Sequence, residues 1–226
     1  MEPVRSSRVR VVRWLVPLTV VVGLMAFVVV PNAIGRAGAP GRAPHKITFR
    51  LFPNQQFLGC AQEEKQTASA KVTVIRGKQV ATLILHLKGF QEDTGFDLFT
   101  AQNSPQLANG QPDPAFKNFG MAWYQADIDI GDNNAATVKL KTILLDEAFG
   151  FDADASLGPT NTFHVGIWFD DPADAAPCGF TGPPTPFNGT HDAGPVAFIS
   201  RPNATTGLGP LCTKPDTSTS PATCEA

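Results

Sequence analysis

Apolar and polar positions alternate along most of this chain, and the alternation has a period of two. It is clearest in residues 161–171, where Phe163, Val165, Ile167 and Phe169 are interleaved with His164, Gly166 and Trp168. Successive side chains of a strand point to opposite faces, so this stretch predicts a half-buried strand with a large apolar inner face. The same period runs through residues 47–51, 72–74, 83–87, 96–101, 121–130, 137–145 and 196–200. Turn-forming clusters separate these runs, among them Arg76-Gly77-Lys78, 109–112, 131–134 and 182–184. No segment keeps a 3.6-residue apolar stripe beyond the single turn that residues 144–151 can form. Short strands punctuated by turn signals predict an all-β domain, an antiparallel β-sandwich of Ig-like, Greek-key or jelly-roll type with about eight or nine strands. Two hairpins are expected. Residues 72–87 turn at Gly77-Lys78 and residues 121–145 turn at 131–134, because Gly and Asn tolerate the positive φ of tight turns.

Between the first hairpin and the next run lies LKGFQEDTGFDLF, residues 87–99. Leu87, Gly89, Phe90, Thr94 and Phe96 have the spacing of the strand corner in fibronectin type III domains, which this stretch resembles, with Phe96 standing where the corner tyrosine would be. The resemblance implies a β-sandwich over these 13 residues and is silent about the rest of the chain.

The N-terminal end breaks the pattern. Arg5, Arg8, Arg10 and Arg13 precede an uncharged apolar run over 14–30, which predicts an export helix, either a cleaved signal peptide or an uncleaved anchor. Residues 1–39 are assigned to that segment and 40–45 to a Gly/Pro/Ala linker. The β-sandwich then occupies 46–212 and a Thr/Ser/Pro-rich tail 213–226. The expected location is secreted, or anchored to the outer face of the cytoplasmic membrane, with the N-terminal segment as the sole membrane contact. Without residues 1–39 the chain carries 13 basic and 19 acidic residues, a balance that argues against nucleic acid as a partner. In an exported chain, Cys60, Cys178, Cys212 and Cys224 read as two disulfides, with Cys60–Cys178 and Cys212–Cys224 the favoured pairing among three.

Candidate chemistry is sparse. No G-x-S-x-G, H-E-x-x-H, G-x-G-x-x-G or G-K-[ST] motif is present. His86, His164 and His191 offer imidazoles for copper or zinc, the alternative reading, although no two are spaced as a ligand pair. Asp127, Asp129, Asp132, Asn133 and Asn134 suggest calcium, against the simpler reading of a solvated turn. Asp170, Asp171 and Asp174 could in principle serve a secreted hydrolase, against an ordinary acidic turn. No cofactor is expected.

The strongest constellation is aromatic. If Ala122, Tyr124, Ala126, Ile128 and Ile130 face the core, then Trp123, Gln125 and Asp127 face outward, as do His164 and Trp168 with a gap at Gly166 between them. Indoles beside amides and carboxylates suit stacking on a sugar ring. The competing reading has residues 101–120 cover both indoles in a second apolar cluster. The expected function is a non-catalytic exported module that binds a carbohydrate or an extracellular protein through Trp123, Gln125, Asp127, His164 and Trp168.

Overall fold

The structure, a computed structural model, describes residues 44–77, 80–142, 160–182 and 194–212, with 215, 216, 218, 223 and 224. The export segment, most of the linker, the turn over 144–151 and His191 lie outside the described residues. Where apolar residues alternate, strands form: β1 (Lys46–Pro53), β2 (Ser69–Ile75), β3 (Ala81–Lys88), β4 (Gly95–Ala101), β5 (Ala122–Asp129), β6 (Ala135–Thr142), β7 (Thr162–Phe169) and β8 (Val196–Ile199). The short β9 (Leu211–Cys212) pairs with β7, and β10 (Pro215–Asp216) pairs with β11 (Thr223–Cys224). Among the described residues helices are limited to single turns, α1 (Leu58–Ala61) and α2 (Pro172–Ala175), the latter followed by a 3-10 turn over Ala176–Cys178.

All of these pairings are antiparallel, and the main sheet runs β5-β4-β7-β8-β1-β2-β3-β6. Strand β1 splices its two halves. Lys46 to Leu51 pair with β2, whereas Phe52 and Pro53 pair with β8. The half-sheets that a sandwich keeps apart are therefore continuous through one strand, and the sheet nearly closes into a barrel-like shape. Val72, Val74, Leu83, Leu85 and Leu87 from one half meet Phe96, Leu98, Val165, Ile167 and Phe198 from the other in a single core. Burial of this kind contributes about 25 cal/mol per Å² of apolar surface.

The first expected hairpin is a full ladder, from Ser69↔Lys88 to Ile75↔Thr82. The second is not. Strand β5 pairs with β4 and β6 with β3, so among the described residues the two share only the bridge Gly131↔Ala135 at their turn. The turn instead serves as a peg. Asn134, at φ +56°, accepts the backbone N–H of Gly89 (2.8 Å) and of Phe90 (3.2 Å), and its side-chain oxygen accepts Gln66 Nε2 (2.6 Å). This docks the β5–β6 turn on the corner where the chain passes from β3 in one half to β4 in the other. Gly89 adopts φ +77° at that corner, and a Cβ there would run into the carbonyl of Thr67.

Both disulfides of the favoured pairing are formed. Cys60–Cys178 ties α1 to the turn after α2 across 118 residues of sequence, and Cys212–Cys224 closes the tail across 12. Such bonds fit an oxidising compartment.

Candidate functional site

On β7 the alternation holds: Phe163, Val165, Ile167 and Phe169 enter the main core and Trp168 points the other way. The outer face is nevertheless closed. Trp168 is 1 % exposed and His164 is 3 % exposed. The indole stacks on Phe99 (4.0 Å between ring centroids, 17° between planes), with Phe119 from the 101–120 segment against both rings. The gap at Gly166 is occupied by the Phe99 ring, whose Cζ lies 2.5 Å from where a Cβ would stand. An open stacking surface at Trp168 is thus corrected to an aromatic core, since an indole of this size gains more from burial than from a wet face.

The proposed face is also split by a β-bulge. Leu98 pairs with Ala126 but Phe99 pairs with Tyr124, which leaves Gln125 as the extra residue on β5. Beyond it every side chain changes face. Trp123 lies opposite Thr100, which lies opposite the core residue Val165, and Gln125 Nε2 donates to Thr100 Oγ1 (3.5 Å). Tyr124 comes round to the face of Asp127 and donates its hydroxyl to Asp127 Oδ1 (2.7 Å). Trp123 and Gln125 are therefore not neighbours of His164 and Trp168 on one surface, and only Asp127 shares their side.

The other candidates separate in the same way. His86, on β3, bonds Thr137 across to β6 through Nδ1 (3.1 Å), and β8, β1 and β2 lie between it and His164. Asp171 caps α2 by accepting Ala173 N–H (2.8 Å). Burial, then the charges of Asp171 and Asp170, push the Asp174 carboxyl up. Among the described residues no group of three His, Cys, Asp or Glu side chains is placed to hold a metal ion.

The covering segment builds something the alternation does not announce. Residues 101–120 run as a strap over the outer face, braced by their own polar groups. Gln106 donates Nε2 to the carbonyl of Pro53 (2.8 Å) and accepts Arg201 Nε (2.9 Å), while the Arg201 guanidinium lies 4.1 Å over the Phe52 ring. Gly110 gives that guanidinium its room, since a Cβ would overlap it. Between the strap, the start of β7 and the loop after β8 is a cavity of about 620 Å³, lined among others by Asn103, Asp113, Phe116, Lys117, Asn118 and His164.

Internal bonds consume only part of the polar side chains of Asn103, Asn118 and His164 in this wall. Asn103 gives its amide to the Asn118 carbonyl (3.3 Å) and retains its own side-chain oxygen. Asn118 Oδ1 accepts Gly120 N–H (3.0 Å), which leaves its amide. His164 Nδ1 lies 2.9 Å from the Ser200 carbonyl, and a carbonyl only accepts, so Nδ1 carries the proton and Nε2 the lone pair. Burial lowers His164 to about 4, against the raising effect of Ser200, so the ring is neutral at pH 7. Ser200 Oγ is 3.1 Å from the same nitrogen but is buried and accepts Val165 N–H (3.1 Å). With Nδ1 already a donor, Ser200 and His164 are not arranged as nucleophile and base.

Of the predicted site, His164 alone reaches the cavity. Asn103, Phe116 and Asn118 were missed, and their one signal in the sequence was the density of Asn, Gln and Ser in the segment expected to act as cover. Comparison of the chain with protein-family models, curated proteins and solved structures finds no match.

Proposed function

We propose that this protein is an exported, non-catalytic binding module on a sandwich-like β framework, and that it holds a carbohydrate, free or on an extracellular partner, in the cavity under the strap. The observation that carries the reading is the chemistry of the cavity wall. The Asn103 oxygen and His164 Nε2 accept, the Asn118 amide donates, and Phe116 supplies a ring face. Neutral hydroxyls are donors and acceptors at once, so they match a wall of mixed polarity, and a sugar's C–H face packs on an aromatic ring. Asp113 and Lys117 contribute one charge of each sign, which gives no preference for an ionic ligand. Export, by cleavage or anchoring of the N-terminal segment, is the finer reading that the two disulfides and the basic-then-apolar start favour.

The test is a glycan array probed with the full chain, followed by titration of the best-bound glycan against variants. Phe116→Ala and Asn103→Ala are expected to weaken binding at least tenfold, and Trp123→Ala to leave it within twofold. Binding that is lost with Trp123→Ala and kept with Phe116→Ala would refute this location.

A further inference from the structure

Asp97 is a carboxylate in a place that suits none. It sits in the middle of β4 with no exposed surface, beneath the aromatic layer of the outer face. Oδ2 accepts the indole N–H of Trp168 (2.8 Å), while Oδ1 is buried without a hydrogen-bond partner. Directly across the ladder on β5 is a second carboxylate, Asp127. Every titratable group acting on Asp97 is anionic or neutral. Asp127 and Tyr124 face it from β5, Asp170 from the end of β7, and β7 itself presents the neutral indole. Like charges directly opposite on neighbouring strands destabilise a sheet, and an unpaired buried charge costs more still.

One proton removes both problems. Placed on Oδ1 of Asp97, it turns the orphan acceptor into a donor toward Asp127, whose Oδ1 is already taken by Tyr124. We propose that Asp97 and Asp127 share one proton, and that this pair is a pH-operated latch beneath the strap that walls the cavity. The chain of contact is short. Asp97 holds Trp168, Trp168 packs on Phe119, and Phe119 packs on Phe116, which lines the cavity. When the proton leaves, Asp97 and Asp127 repel, and only Asp127 can turn into solvent. Burial, the largest cause, raises Asp97 to about 6; the Trp168 bond opposes this, and Asp127 and Asp170 add to it. The folded chain therefore binds this proton more tightly than the unfolded chain does. The stabilisation is full below the ordinary carboxylate value near 4 and is lost as pH rises to about 6. The effect on the cavity rests on the proposed binding role, whereas the shared proton does not.

The indole N–H of Trp168 reports the latch without any ligand. In the ligand-free full chain its NMR resonance, assigned with Trp168→Phe, is expected to titrate with a midpoint near pH 6. Asp127→Asn should move that midpoint toward 4, and Asp97→Asn should abolish the titration. Cross-peaks between the Trp168 and Phe119 rings should be stronger at pH 5 than at pH 7.5. A flat indole shift, a wild-type midpoint near 4, or a midpoint unmoved by Asp127→Asn would overturn the shared proton. Equal cross-peaks at both pH values would overturn the latch. If Asp97→Asn does not fold, the wild type and Asp127→Asn still decide the matter.

Discussion

At the scale of single residues, alternation indicates which way a side chain points but not what lies there. It put His164 and Trp168 on the outer side of β7 correctly, yet Gly166 reads equally as an open gap or as the seat of a ring. The Phe99 ring settles it, and the consequence is a reversed expectation for Trp168. Trp168→Ala should cost about 3–5 kcal/mol, because it empties the centre of a packed cluster and leaves Asp97 without its indole donor. Urea denaturation measures this, and a loss below about 1 kcal/mol would mean that the cluster is not a core. The pH dependence of His164 follows from its lowered value of about 4. The folded chain holds this proton more weakly than the unfolded chain, so the stability it supports is present above about pH 6.5 and lost as pH falls toward 4. Asp97 acts in the opposite sense over nearly the same interval, so the two slopes oppose each other in the wild type. His164→Gln should therefore lose stability more steeply than the wild type does as pH rises from 4 to 6. Denaturation midpoints at a few pH values suffice to check it.

At the scale of elements, the strands were legible because their period is short and strong, and so was the β2–β3 hairpin. The β5 face was not, because a one-residue bulge reverses every side chain beyond it and leaves no mark in the composition. The second hairpin failed for a related reason. Gly131 to Asn134 do form a turn, but Asn134 is bonded to the Gly89–Phe90 backbone, and the strands on either side join different halves of the sheet. The strap is held at Gln106, so Gln106→Ala should cost about 1–3 kcal/mol through its lost bonds to Pro53 and Arg201, and it should weaken ligand binding in parallel. The disulfides differ in what they constrain. By loop length alone, removal of Cys60–Cys178 should cost roughly 5 kcal/mol and removal of Cys212–Cys224 roughly 3 kcal/mol. Thermal unfolding of the paired Cys→Ser variants orders the two, and a larger loss from the tail bridge would contradict the assignment of Cys60–Cys178 as the staple of the domain.

At the scale of the described domain, the nine-stranded sheet wraps one main core, and a polar strap roofs a second, aromatic cluster on the outer face of half the sheet. The antiparallel all-β class and both cysteine pairs were readable from the chain. The continuity through β1 was not, because pairing partners depend on where a strand bends and period two is blind to bends. The cavity was hidden for a further reason. Its wall comes from residues 101–120, 160–164 and 202–209, stretches remote in sequence whose amides look like ordinary loop residues until the fold brings them together. On the proposed reading this wall binds a hydroxyl-rich ligand. Backbone amide shift mapping of the full chain with the best-bound glycan tests it most directly. Perturbations are expected at Asn103, Phe116, Asn118 and His164, with Trp123 and His86 unmoved. Shifts centred on Trp123 and the outer edge of β5, or no saturable shift at any residue of the cavity wall, would contradict it.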